Sequence, residues 1–450
     1  MRRKVAIIGS GFRGFCDALH LLDRKDLEIT IIDSAPFFGG VMNSLSIKGF
    51  FVDKGVHIFD SIPIKLAETI TEIMQGEVHK IDFVSASAFN GKVTEGFSLP
   101  DLNSYDDKEL KNKIQNELIE LSNLNRDNLP EPKNLKELFQ SRYGKTAEDI
   151  FSKIFKKVYG LKSEEAAPAA IAQTSMGRLK FLDDVEMLKL KQNPWLDTVL
   201  AARRKSVGKV DDYVSIYPSD GNAMKGWCEK AMQWLQDKGV SIKLSTKINS
   251  ISEKNSTCLI DTDSGLINAD YVVWANDSIN ALANILNIKK DVDKFQHGTP
   301  MVFTTFMTQA NKVKDFTYLQ NFDPNQFTYR SAAAGRISSQ IDKNGISFVT
   351  CECPASTKGD FWSKPHKEIP NIWDEIKRLG IIENDAELVD YDIKKIPSTF
   401  KLCKSGYNNA FKDFTTTVNE NYKQVIIRDV LPFFRRDIFF DSKHLINLID

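Results

Sequence analysis

Glycines at positions 9, 11 and 14, followed by an aspartate at 33, form the pattern with the clearest chemical meaning in this 450-residue sequence. The first glycine permits a tight turn out of a strand. The second lets backbone approach a pyrophosphate, and the third lets the next helix pack closely on the sheet. The helix then points unpaired N–H groups and the positive end of its dipole at the phosphates. Asp33 falls 24 residues after Gly9, where a carboxylate meets the ribose hydroxyls of a bound dinucleotide. Gly9, Gly11, Phe12, Gly14 and Asp33 are therefore candidate cofactor-binding residues.

The elements that must position them lie on either side. Val5-Ala6-Ile7-Ile8 is a short, wholly apolar run, as expected of a parallel strand buried on both faces. A helix carrying Phe15, Ala18, Leu19 and Leu22 follows, then a second strand over Leu27–Ile32 that ends at Asp33. Residues 4–33 thus read as a strand–helix–strand dinucleotide unit.

Asp33-Ser34-Ala35-Pro36-Phe37-Phe38-Gly39-Gly40 resembles the second glycine element of the FAD family that includes amine oxidases and protoporphyrinogen oxidase. That resemblance implies FAD as the cofactor, with Gly39 and Gly40 near its flavin end. Phe51-Val52-Asp53-Lys54-Gly55-Val56-His57-Ile58-Phe59-Asp60 resembles the Gly-x-His-Ile-Phe segment of the UDP-galactopyranose mutases, which implies that His57 is a catalytic residue near the flavin. Further similarity to the mutases follows in order. Phe155–Gly160 looks like the aromatic-Gly segment, with Tyr159 in place of a uracil-stacking tryptophan. Arg178 stands where a helix-borne arginine approaches the substrate diphosphate. Phe327-Thr328-Tyr329-Arg330 resembles the strand with a second diphosphate arginine, and Arg336 is an alternative to Arg330. Thr350–Pro354 looks like a Glu-x-Pro strand. Phe439-Phe440-Asp441 stands where the family has Tyr-Tyr-Asp. The resemblance implies Tyr159, Arg178, Tyr329, Arg330 and Phe440 as substrate-binding residues, and Arg428 and Asp441 as cofactor-binding residues.

The sequence also departs from the mutase pattern. Tyr217-Pro218-Ser219-Asp220-Gly221 is closer to the Tyr-Pro-x-Gly-Gly turn of the oxidases. Ile427-Arg428-Asp429 keeps the arginine of a C-terminal Gly-Arg element but lacks the glycine, and Phe439 and Phe440 lack the tyrosine hydroxyls. The resemblance implies an isomerase acting on a nucleotide-diphosphate sugar through the N5 of reduced flavin. An FAD-dependent oxidoreductase of the amine oxidase or protoporphyrinogen oxidase type, and a noncatalytic flavin-binding protein, stay open beside it.

The expected fold class is α/β. A discontinuous Rossmann-like FAD-binding domain (1–65, 206–290 and 416–450) is interrupted by a mainly helical segment (66–205) and an antiparallel-sheet substrate domain (291–415), with the active site expected between them. An amphipathic helix is expected over 62–77, a polar, exposed helix over 106–124, a helix over 367–379, a loop over 125–133, and a helical block over 134–200. Strands are expected over 213–217 and 240–246, and a hairpin over 256–275. The region 300–355 reads as strand-rich, and the end as short strands plus a final helix.

Composition bounds the rest. The chain is 42% hydrophobic, and its 60 basic and 60 acidic residues cancel, which argues against nucleic acid as the main partner. The six cysteines contain no CxxC pair, so a disulfide framework and a metal site are not expected. Cys351 and Cys353 should share one face of a strand. No run approaches the roughly 20 apolar residues that span a bilayer, and the N-terminus lacks a secretory pattern. A cytoplasmic protein acting on a small molecule is expected, and a homodimer is allowed.

Overall fold

The structure, a computed structural model, describes residues 2–82, 85–125, 129–203, 212–429 and 434–449. The chain divides into two compact units. The first comprises Met1–Ile81, Val210–Lys294 and Asn408–Asp450; the second comprises Asp82–Lys209 and Phe295–Tyr407.

The first unit is Rossmann-like. Strand β1 (Arg3–Ile8), helix α1 (Phe12–Leu21) and strand β2 (Leu27–Ile32) form the expected βαβ start. The sheet order is Ser241–Lys243, β2, β1, Tyr271–Trp274, Val425–Ile427, and every pair is parallel. Val5, Ala6, Ile7 and Ile8 are buried, as a strand covered on both faces requires. Phe12, Phe15, Ala18 and Leu21 bring the apolar face of α1 onto the sheet. Two antiparallel sheets accompany it. One is Ile248–Lys254, Thr257–Thr262 and Gly265–Ala269. The other sets Tyr213–Pro218 between Phe59–Pro63 and Val78–Lys80.

The second unit is built on a seven-stranded sheet in the order Asp390–Ile396, Met301–Gln309, Ile346–Pro354, Arg330–Ala332, Tyr318–Asn321, Ser85–Phe89, Lys92–Glu95. Its pairs are antiparallel except Tyr318–Asn321 with Ser85–Phe89. The helices Lys108–Ser122, Leu135–Tyr159, Asp184–Leu190 and Pro194–Val199 belong to the same unit. Phe139, Phe151 and Phe155 of the long helix share one core with Met301, Tyr329 and Leu402. On another core, Cys351 and Cys353 pack with Val302, Phe306 and Trp373. Both thiols are fully buried, and burial pushes the Cys351 thiol up to about 12. They sit on one strand face as neutral core groups.

Several expectations are corrected. Residues 78–95, read as part of a helical segment, contain three strands. Ser85-Ala86-Ser87-Ala88 has small side chains with no β-branched signal, and its partner Tyr318–Asn321 is remote in sequence. Tyr407–Asn421 is a helix where short strands were expected. The run Thr415-Thr416-Thr417-Val418 favours strands, but burial of Phe414 and Val418, one turn apart, overrides that preference. The helix Ile64–Ile73 crosses the expected boundary at 65/66 and packs in the first unit. The boundary at 205/206, and residues 126–128 of the expected loop, lie outside the described residues. Among the described residues no helix is long and apolar enough to cross a membrane.

Candidate functional site

The glycine loop lies at the carboxyl ends of β1 and β2. Gly9 has φ +117°, a turn that favours glycine. A Cβ on Gly14 would stand 2.0 Å from the Gly9 carbonyl oxygen, so that position is glycine because the helix meets its own entry loop. Gly11 differs, because a Cβ there meets no atom of the described residues within 4 Å. It caps α1 without a side-chain hydrogen bond, and the first turn holds no acidic residue. The first amides of α1 thus have no capping side chain, in an open cradle suited to an anion. Phe12 contributes backbone here. Its ring packs 6.0 Å from both Phe59 and Trp227, in the core below.

Gly39 and Gly40 are brought to the same loop. The Gly39 N–H donates to the Ser10 carbonyl at 2.9 Å, and Gly39 bridges Gly11. Asp33 Oδ2 accepts from the Ser10 N–H and hydroxyl, both at 2.7 Å, while Oδ1 accepts from the Ala35 N–H at 2.8 Å. Its carboxylate therefore braces the glycine loop. A cavity of about 130 Å³ opens beside it, lined by Gly9, Asp33, Ser34, Lys247, Trp274 and Asn276 among others. It occupies the carboxyl edge of a parallel sheet, where such folds bind ligands.

His57 is half-buried, and its Nδ1 lies 2.9 Å from Arg435 Nη2. Sequence reasoning missed its neighbour Asp53, which is 7% exposed. Asp53 Oδ1 accepts from Ser44 Oγ at 2.6 Å and from the Met224 N–H at 3.3 Å; Oδ2 accepts from the Tyr217 hydroxyl at 2.6 Å. Desolvation pushes the carboxyl up to about 6, against these donors and the Arg435 charge. Both Asp53 and Tyr217 sit in motifs visible in the sequence, but their pairing spans 164 residues.

This carboxyl sets a pH dependence. Its pKa is higher folded than unfolded, so the folded state holds the proton more tightly. The linked stability is complete below about pH 4 and is lost as pH rises through about 6. Asp53→Asn removes that term. The wild-type-minus-variant unfolding free energy should fall by roughly 2 kcal/mol between pH 4 and 7, with a slope approaching about 1.4 kcal/mol per unit between the two pKa values and little change above pH 6. Chemical denaturation at several pH values measures it, and a flat difference would sink the assignment.

Arg428 and Asp441 are each other's partners. Arg428 Nη1 donates to Asp441 Oδ2 at 3.2 Å and Nη2 donates to Asp17 of α1; Arg13 Nη1 reaches the same Asp441 oxygen at 2.6 Å. Asp17 is fully buried, and burial raises its pKa against the opposing pull of Arg428. This network ties the C-terminal helix Arg435–Lys443 to α1. Phe440, on that helix, is 41% exposed.

In the second unit the expected substrate residues are mostly engaged within the protein. Tyr159 is 1% exposed, with its ring among Phe155, Tyr329 and Phe400, so no face is presented for stacking on a base. Lys157 does the polar work of that segment, donating to the Asn321 and Thr328 carbonyls at 2.9 and 2.7 Å. Burial pushes its amine down to about 8. Arg178 is exposed on a bend rather than a helix, and its Nη1 reaches the Asp197 and Leu200 carbonyls at 3.4 and 3.3 Å. Those carbonyls end the helix Pro194–Val199, so Arg178 caps it. Tyr329 is buried, and its hydroxyl accepts from Gln320 Nε2 at 3.0 Å. Arg330 and Glu352 sit opposite on paired strands and form a two-pronged ion pair, Nε to Oε1 at 2.7 Å and Nη2 to Oε2 at 3.0 Å. The anion that a half-buried arginine requires is internal. Arg336 pairs with Asp315 at the surface.

Residues 7–72 match the model of the NAD(P)-binding Rossmann-like domain family. No curated protein matches the chain in sequence. Among solved structures, a reduced UDP-galactopyranose mutase superposes with a TM-score of 0.75 at 15% identity, covering 99% of this chain and 96% of that one. A putative protoporphyrinogen oxidase from Exiguobacterium sp. 255-15 gives 0.68 at 14% identity, covering 100% and 99%. An engineered putrescine oxidase gives 0.63 at 12% identity, again covering 100% and 99%. Likeness at these identities establishes the fold.

Proposed function

We propose that the protein is an FAD-dependent enzyme acting on a small molecule. The observation that carries this is the open cradle at Gly11, where the α1 amides have no capping side chain and an added Cβ meets no atom of the described residues, beside the cavity at Asp33. The diphosphate of the cofactor fits this cradle. Asp33 stands at the end of β2 for the adenosine ribose, and Gly40, packed against Gly11 where Gly39 packs against Cys228, lets the chain pass close to the rest of the dinucleotide. Bound FAD supplies either a nucleophilic reduced flavin or a hydride acceptor. The chain supplies orientation and charge.

The finer reading is ring interconversion of a nucleotide-diphosphate sugar on reduced flavin. It is supported by the His57 segment and by the fold shared with the reduced UDP-galactopyranose mutase over nearly the whole chain. A second reading, an FAD-dependent oxidoreductase, is favoured by the pairing of Arg330 with Glu352 and the burial of Tyr159, which engage within the protein two side chains expected to hold a nucleoside diphosphate.

The purified protein should bind FAD stoichiometrically. A preparation that stays colourless after incubation with FAD ends the proposal. With flavin bound, turnover of UDP-sugars only after dithionite reduction, with no net redox change, selects the isomerase. Oxygen uptake or dye reduction with an amine selects the oxidoreductase.

A further inference from the structure

One bond to His57 decides which way its imidazole works. Arg435 Nη2 stands 2.9 Å from His57 Nδ1. A guanidinium carries only N–H donors and keeps its charge in a folded protein. Nδ1 therefore supplies the lone pair of this bond, and the ring proton sits on Nε2. The surroundings hold the guanidinium in place. It lies over the Phe59 ring, 5.9 Å from the centroid, at the start of the helix Arg435–Lys443. The buried Asp53 carboxylate, fixed by Ser44, Tyr217 and the Met224 amide, attracts its charge.

We propose that Arg435 is a positioning residue that holds His57 as the neutral Nε2–H tautomer, so that His57 meets the ligand of this site as an N–H donor and not as a base. A base needs a lone pair turned to the reacting proton, and the only one on this ring is occupied by Arg435. A donor in that state instead favours negative charge on an acceptor within its reach. Any proton removed in the reaction then goes to another group. What His57 faces rests on the FAD reading above; its tautomer is a property of the chain alone.

Full-length protein labelled with [15N]histidine tests this through two-bond 1H–15N correlation, with His57→Gln identifying the His57 signals among the six histidines. The expected native spectrum has a lone-pair shift at Nδ1 and a protonated shift at Nε2, with or without added FAD. In Arg435→Met that signature should be lost to Nδ1 protonation or to averaging of the two nitrogens. Arg435→Lys, which keeps one donor and the charge, should retain it. A protonated Nδ1 in the native protein overturns the proposal, and so does an Arg435→Met spectrum unchanged at His57. Should Arg435→Met not fold, loss of the signature in Arg435→Lys overturns the proposal, and its retention there with a native lone-pair Nδ1 upholds it. The flavin-to-protein ratio is measured on the same samples. Absent flavin with an intact tautomer removes the cofactor reading only, and bound flavin with the wrong tautomer removes this one only.

Discussion

Gly11→Val should give a folded protein without flavin. Gly11 has φ −69° and ψ −175°, extended backbone that any residue adopts, and an added Cβ meets no atom of the described residues within 4 Å. The fold therefore loses only the small helix-capping difference between glycine and valine, on the order of 1 kcal/mol. The isopropyl group instead fills the space through which a pyrophosphate would approach the α1 amides. FAD affinity should drop at least tenfold, about 1.4 kcal/mol or more, with the thermal midpoint of the flavin-free protein shifted by only a few degrees, on the order of 4 °C or less. Gly14→Ala is the contrasting variant. Its Cβ would collide with the Gly9 carbonyl, so it should disrupt the fold whether or not FAD is present. Flavin content after reconstitution and the unfolding curve of each apoprotein separate the two effects. Full flavin occupancy in folded Gly11→Val would remove the cradle from the site.

That contrast also marks how far local sequence reaches. The βαβ start was legible because its determinants are close together: a wholly apolar strand, three glycines within six positions, and a carboxylate at the end of the next strand. The glycine spacing did not reveal that Gly14 serves packing while Gly11 keeps space open, because that depends on what surrounds each Cα. Long-range pairing was less legible still. Asp53 and Tyr217 each lie in a recognisable motif, yet nothing local says that a tyrosine hydroxyl will hold that carboxylate. Arg330 and the Glu-x-Pro segment that carries Glu352 stand out in the sequence on separate strands; only the sheet register sets the two side chains opposite. For Tyr159 and Arg178, residue type alone does not distinguish a ring closed into a core, or a guanidinium capping a helix, from a side chain presented to a ligand. The helical and antiparallel segments read as separate domains because each has its own periodicity. The core joining Phe151 and Phe155 to Met301 and Leu402 depends on contacts that periodicity does not encode.

Arg330→Ala should lower stability by about 3–5 kcal/mol, since it takes the two-pronged arginine counter-charge from Glu352 in a mostly desolvated strand position. Glu352→Gln should also destabilise, by leaving the guanidinium without its counter-charge. Neither single change separates a structural pair from a substrate contact, because a protein that loses its sheet also loses its ligands. The double variant Arg330→Met/Glu352→Met does separate them. Removing both charges together avoids an orphaned ion, so most of the lost stability should return, to within about 1–2 kcal/mol of wild type. The Glu352 fork uses Nε and Nη2, which leaves Nη1 as the part of the guanidinium outside it. If Nη1 also holds a nucleotide diphosphate, the stabilised double variant should bind UDP at least tenfold more weakly than wild type, about 1.4 kcal/mol. If the pair only fastens two strands, UDP binding should return with stability. Denaturation and UDP titration on the same four proteins therefore decide whether Arg330 belongs to a diphosphate site, and with it whether the nucleotide-sugar reading keeps its main cation.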